Sequence, residues 1–382
     1  MRADRNPALD GLRGIAILLV MPFHFTKSFE AHGVADRILG SAAATGYLGV
    51  DLFFVLSGYL ITTGLLQARG SGNYFSRFYA RRVLRIFPLY YCLIALIVLV
   101  APRVPAVALT RPVQLTQAHQ AWFWVHAVNW LTAINGTFDV VAHETSVIWS
   151  LSIEEQFYLI WPVLVLVLGA RRLPGVCALL IAVSTGLRAW LLTHGSALVT
   201  VYTATITRLD GLALGAALAC LAQSTSPPPA VRLIRRSWYL SLLAFDVAFF
   251  VPVQRTVSHI ALTAVFLCAA IGWGGVLLRT LDAGPTTVWG RVVRAEVLQR
   301  FGLYSYGLYL LHPWVEASMP KLGLSARALT RAVGSSFGGH VLYLAIATTI
   351  AFVAAAASYH LFEARFLALK NRIPILAGRG SG

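Results

Sequence analysis

The stretch "GIAILLVMPFHFTKSFE" places His24 inside an apolar run, two residues after Pro22. An imidazole titrates near neutrality, so a neutral His24 can take a proton from a hydroxyl as a general base. The alternative role for a buried histidine is a hydrogen-bonded structural ring. Arg13 and His24 are eleven residues apart, about three helical turns, and one uninterrupted helix puts them on nearly the same face. Asp10 lies one turn before Arg13. The spacing predicts a polar stripe from the start of the helix to His24, about 15 Å further along, with Pro22 able to bend it.

Three further clusters carry chemistry. In "FYARRVLRIFPLYY", Arg81, Arg82 and Arg85 share a helical surface, with Arg77 one turn earlier. Guanidinium forks suit the phosphates of a polyanion, and equally suit anionic lipid heads. In "SVIWSLSIEEQFYLIWP", Glu154 and Glu155 point about 100° apart, so at most one faces inward. Ser152 with Glu155 fits a capping box. Glu154, one turn from Ser150, is the candidate for orienting a substrate or a catalytic ring, with Trp149 and Tyr158 as walls. In "TRLDGLALGAALA", Arg208 and Asp210 precede a small-residue face, as an ion pair or as site residues, and the glycines predict close helix packing.

The elements that must position these residues are membrane helices. Of 382 residues, 58% are hydrophobic and 12% charged, with a mean hydropathy of +0.71, against roughly 25% charged residues in a soluble domain. The net charge of +16, from 31 basic against 15 acidic residues, is read as cytoplasmic loop bias, not nucleic-acid binding. Apolar runs predict an all-α polytopic bundle of about ten transmembrane helices near 13–31, 47–68, 86–101, 146–168, 174–193, 203–222, 238–253, 257–278, 301–318 and 338–362. Placing both termini in the cytoplasm puts nearly every dense basic cluster there too. The aromatic segment at 118–131 is too short to span and is expected at the interface or re-entering. "SPPPA" at 226–230 reads as a short connector. Cys92, Cys177, Cys220 and Cys268 lie in apolar runs without metal-ligand spacing, and no metal is expected. Only Lys27, Lys321 and Lys370 are lysines, which suggests a GC-rich bacterial source and a plasma-membrane location.

Taken in order, "LDGLRGIAILLVMPFHF", "GYLGVDLFFVLSGYLI", "RRVLRIFPLYY", "WSLSIEEQFYLIWP", "RLDGLALG" and "GLYSYGLYLLHP" resemble the acyltransferase-3 family of integral membrane O-acyltransferases. The resemblance covers most of the chain, taken as one transmembrane domain over 1–370 and a short cytoplasmic tail over 371–382. It implies transfer of an acyl group, by default acetyl, from acyl-CoA to a hydroxyl of a glycan, lipid-linked sugar or natural product. Acyl-CoA would be a co-substrate, with no tightly bound cofactor. It implies His24 as catalytic base, Arg13 and Arg85 as functional arginines near the donor, and Glu154, Arg208 and Asp210 as site residues. Tyr306 and His312 match the family's later aromatic-histidine segment, although His312 could equally end its helix before Pro313. The chain departs from the family's acidic-Pro-Phe ending, since "YHLFEARF" has Arg365 in the proline position. It also lacks the hydrolase-like domain fused to some relatives, so transfer is expected within the bundle or with a separate partner.

These residues fit direct transfer, because no nucleophilic Cys or Ser with an adjacent base is evident. A transporter or flippase for an anionic glycan or lipid is the rival reading, since polar groups meeting inside a membrane also describe a transport path.

Overall fold

A computed structural model of the chain describes residues 6–104, 110–221, 227–250 and 259–373. All regular structure among them is helical, with no strand. The start of the 226–230 connector, the junction expected between 253 and 257, and most of the 371–382 tail lie outside the described residues. The helices used below are α1 (Pro7–Phe25), α2 (Val34–Ala44), α3 (Gly49–Ala68), α4 (Tyr74–Ala95), α5 (Ile148–Thr193), α6 (Thr205–Leu221), α7 (Tyr239–Phe250), α8 (His259–Asp282), α9 (Val288–Val293), α10 (Glu296–Leu303), α11 (Ser305–Ser318), α12 (Ala326–Val333) and α13 (Ser336–Ser358).

Seven stretches among the described residues are long and apolar enough to cross a membrane: Pro7–Phe25, Val34–Ala68, Tyr74–Arg103, His143–Thr193, Leu198–Leu221, Thr263–Asp282 and Ser336–Leu369. The difference from about ten has identifiable causes. The expected 146–168 and 174–193 helices run together as α5, whose 46 residues at 1.5 Å each would reach about 69 Å, more than two hydrocarbon thicknesses. Its continuity breaks at Gly169, where φ +64° and ψ 173° are non-helical and favour a residue without a side chain. The expected 301–318 helix is interrupted at Tyr304, and the expected 238–253 helix is described only as far as Phe250. Leu159, Ile160 and Val167 are more than half exposed, as side chains facing lipid would be.

The chain forms two compact units, Met1–Leu56 with Thr225–Ala356, and Ser57–Ser224 with Ala357–Gly382. In the first, α1 starts at an Asn6 cap whose side chain accepts from Ala8 N–H at 3.0 Å, with Pro7 pre-set for the first helical position. It ends at Phe25, short of the expected residue 31, where Thr26 returns its N–H and hydroxyl to the Pro22 carbonyl. Ala8, Leu12, Ala16, Ile17 and Met21 are completely buried along it. The glycines of α1 explain how it packs so closely. A Cβ at Gly11 would stand 1.7 Å from the Val293 carbonyl oxygen of α9, and one at Gly14 2.1 Å from that of Leu298 in α10. From the other side, a Cβ at Gly302 would stand 1.8 Å from the Asp10 carbonyl oxygen. Bare backbone therefore meets bare backbone, as small-residue helix interfaces in membranes allow.

In the second unit, α5 packs along α6, and Gly58 of α3 lets the Leu212 carbonyl approach. The aromatic 118–131 segment is not among the spans. It forms helices Gln120–Trp124 and Val128–Asn135, broken at His126 with φ +52°. Gln156 of α5 holds this break, donating to the His126 carbonyl and to Asn129 Oδ1, both at 2.9 Å, while Trp130 donates to Gln156 Oε1.

Candidate functional site

Asp10, Arg13, His24 and His312 fall in the first unit; Arg81, Arg82, Arg85, Trp149, Glu154, Tyr158, Arg208 and Asp210 fall in the second. Each constellation is described within its own unit.

In the first unit, α1 carries Asp10 and His24 buried and Arg13 half-buried, so the helix holds both ends of the expected stripe. Arg13 Nη1 lies 3.4 Å from Asp10 Oδ1, one turn back. His24 packs edge-on against Phe23 and meets His312 of α11, the ring centroids 4.9 Å apart at 67°. His312 is fully buried, and its Nδ1 lies 2.9 Å from the Leu308 carbonyl. A carbonyl only accepts, so this bond places the hydrogen on Nδ1 and leaves the lone pair of a neutral His312 on Nε2. Phe25 and Tyr309 pack edge-on against His312.

Lys27 is the residue that the sequence reading did not single out. Its Nζ is 3.4 Å from His24 Nδ1 and 5.1 Å from the Phe23 ring centre. Lys27 as a whole is exposed, yet the surroundings of its ammonium lower its pKa through burial, against an opposing pull from Glu316. The signal was in the spacing, because Lys27 stands three residues after His24, but the helix stops between them.

In the second unit, Glu154 Oε2 accepts from Ser57 Oγ of α3 at 2.9 Å and from the Tyr158 hydroxyl one turn along α5. Arg82 of α4 lies over the Tyr158 ring at 5.1 Å and is electrostatically coupled to Glu154 and Glu155. The Arg82 charge thus meets the Glu154 cluster through Tyr158, while Arg81 and Arg85 are half-buried on the same helix. Arg85 attracts Glu363, which accepts from Ser358 at 2.9 Å in the π-helical turn Tyr359–Glu363. The expected capping box is not formed. Helix α5 already begins at Ile148, so Ser152 is interior and donates to the Ile148 carbonyl, while Glu155 is half-buried and its Oε1 has no hydrogen-bond partner among the described residues.

Arg208 is fully buried, 5.2 Å from the Tyr202 ring centre and 6.0 Å from that of Trp149, whose rings lie 4.6 Å apart. Trp149 and Arg208, separated by 59 positions, meet here. Asp210 pairs with Arg188 of α5, which also donates to the Thr207 carbonyl, and both charges are sealed from solvent. Arg188 was a lone cation in an apolar run, a signal that the sequence carried and the reading did not use.

Another unexpected feature is His126. Its ring stacks on Tyr90 at 4.1 Å, and neither ring nitrogen has a hydrogen-bond partner among the described residues. Burial pushes its pKa down to about 4.

An integral membrane helical protein with histidines, carboxylates and arginines buried in apolar packing is the class this geometry defines. The acyltransferase-3 family, described as an acyltransferase domain, matches residues 6–360, and the chain belongs to it. The chain is 29% identical over 383 residues to the "Putative peptidoglycan O-acetyltransferase YrhL" of Bacillus subtilis, covering 94% of this chain and 54% of that protein. It is 28% identical over 350 residues to the peptidoglycan O-acetyltransferase OatA of Listeria monocytogenes, covering 86% and 52%. The chain thus spans about half the length of the curated relatives it matches. No solved structure matches it.

Proposed function

We propose that the chain is a bacterial plasma-membrane O-acyltransferase that moves an acyl group, by default acetyl, from acyl-CoA to a hydroxyl of a glycan or glycosylated acceptor. The observation that carries this reading is the buried His24, set against His312 and Lys27 in a family of acyltransferases. The names of its relatives favour a sugar-polymer acceptor, and favour transfer over the transporter reading.

In the proposed reaction the acceptor oxygen attacks the thioester carbonyl while His24 takes the hydroxyl proton. The new C–O bond forms, the C–S bond breaks, and the proton leaves with the coenzyme A thiolate as thiol. Arg81, Arg82 and Arg85 hold the donor's phosphates. Glu154 binds the acceptor through its carboxylate. About ten spans with both termini cytoplasmic is the topology that suits a cytoplasmic donor.

The test is acceptor-dependent release of thiol from acetyl-CoA by purified protein in lipid nanodiscs, with a panel of sugar acceptors. The wild type is expected to release thiol, and His24→Ala to lose about 10²–10⁴-fold of that rate while remaining folded. Full turnover in folded His24→Ala would remove His24 from the role of base. Transport of a labelled glycan without thiol release would overturn the transferase reading.

A further inference from the structure

Just beyond the C-terminal end of α1 the first unit contains a cavity of about 250 Å³, bordered by Glu30, His32, Arg327, Thr330, Arg331 and His340. It is formed where the segment leaving α1 meets α12 and the first turns of α13.

The wall of this cavity is built. Asp36, 4% exposed, accepts from the Ser336 hydroxyl, from the His32 backbone N–H at 3.2 Å and from His340 Nδ1 at 2.9 Å. His340 is 3% exposed, and Phe29 stacks on it with ring centres 4.0 Å apart and planes within 8°. Carboxylate and stacked ring together fix the His340 plane and commit Nδ1, leaving Nε2 as its atom for a ligand. Nε2 accepts from a hydroxyl when the ring is neutral and donates to an anion when it is protonated.

The cavity already shows what its cations hold. The Glu30 carboxylate is hydrogen-bonded to Arg327 and lies 3.7 Å from His32 Nε2. The Arg327 guanidinium holds Glu30 below the usual carboxylate range. Arg331, one turn after Arg327 on α12, has no hydrogen-bond or ion-pair partner among the described residues. The cavity therefore keeps one uncommitted guanidinium beside a fixed imidazole and the Thr330 hydroxyl.

We propose that this cavity binds an anionic sugar residue of the acceptor, with Arg331 taking its carboxylate or phosphate and His340 and Thr330 taking its hydroxyls. The proposal deepens the O-acyltransferase reading by naming the acceptor class, and it rests on that reading. It places recognition of the acceptor's charge on the same unit as His24, at the end of α1 away from Arg13 and Asp10.

The experiment measures binding to the full chain in nanodiscs with no acyl donor, so it reads out even if transfer fails. Methyl β-D-glucuronide, methyl β-D-glucoside and methyl β-D-glucoside 6-phosphate are titrated by saturation-transfer NMR, against wild type and Arg331→Gln. One charge-assisted bond corresponds to about a tenfold preference for an anionic sugar over the neutral one. That preference is expected to vanish in Arg331→Gln and persist in part in Arg331→Lys. The tighter of the two anionic sugars identifies carboxylate or phosphate as the recognised group. Equal binding of all three sugars, binding of none, or a preference that survives Arg331→Gln would overturn the proposal. Thiol release with the neutral sugar, measured separately, reports the transferase reading alone.

Discussion

Lys27 Nζ stands 3.4 Å from His24 Nδ1, so the candidate base carries a cation at its side. Removing that ammonium removes a like-charge penalty on the protonated ring. In Lys27→Met the acid limb of the pH–activity profile is therefore expected to move to higher pH, with activity lost earlier as pH falls. Lys27→Arg should keep the wild-type limb. An unmoved limb in Lys27→Met would show that Lys27 serves only packing against Phe23.

Glu154 accepts from both Ser57 and Tyr158. Tyr158→Phe leaves the Ser57 bond in place and should lower the transfer rate by no more than about tenfold, the size of one hydrogen bond. Glu154→Gln removes the charge and should cost about 10²-fold or more. Steady-state rates at saturating acetyl-CoA separate the two, and equal losses would argue against a distinct role for the carboxylate.

The Arg188–Asp210 pair is the clearest stability prediction. Both side chains are sealed from solvent, so removing one leaves an uncompensated buried charge. Asp210→Asn and Arg188→Met should each destabilise by about 3–5 kcal/mol, and the double variant Arg188→Met/Asp210→Leu should recover most of that loss. Thermal unfolding in mild detergent measures all three. If the double variant stays as unstable as the singles, the pair does more than neutralise itself.

His126 makes stability pH-dependent in a defined window. Its folded pKa of about 4 lies below the ordinary 6.5, so the unfolded chain binds this proton first. Its contribution is complete above pH 6.5 and is lost as pH falls from 6.5 to 4, by on the order of 3 kcal/mol. His126→Asn, which tolerates the left-handed backbone, should flatten the midpoint-versus-pH curve across that window. A slope unchanged from wild type would assign it to other groups.

The local pattern made α1 and its stripe legible, because Asp10, Arg13 and His24 follow helical periodicity. The stop at Phe25 was not legible, since Thr26 returning to the Pro22 carbonyl is a matter of geometry rather than hydropathy. Arg188 was visible as a charge in an apolar run, but its partner lies 22 positions away on another helix. Ser57 and Glu154, 97 positions apart, are joined only by the packing of α3 on α5. The capping-box reading failed because Ser152 and Glu155 match the motif locally although the expected 146–168 run already places both inside the helix, where Ser152 donates back to the Ile148 carbonyl. The cavity beside His340 had no local signal at all, because residues 28–36 and 326–340 come together only in three dimensions.

The glycine contacts along α1 have a mechanical consequence. With Gly11, Gly14 and Gly302 pressing main chain on main chain, α1 cannot slip along α9 and α10 by a turn without bringing the Cβ atoms of neighbouring residues against those carbonyl oxygens. The helix behaves as a keyed shaft, its register against those neighbours locked. In the proposed reaction, room for an acyl group beside His24 would then come from rotation of side chains such as Lys27 and Phe23, or from motion that carries α1, α9 and α10 together as one piece.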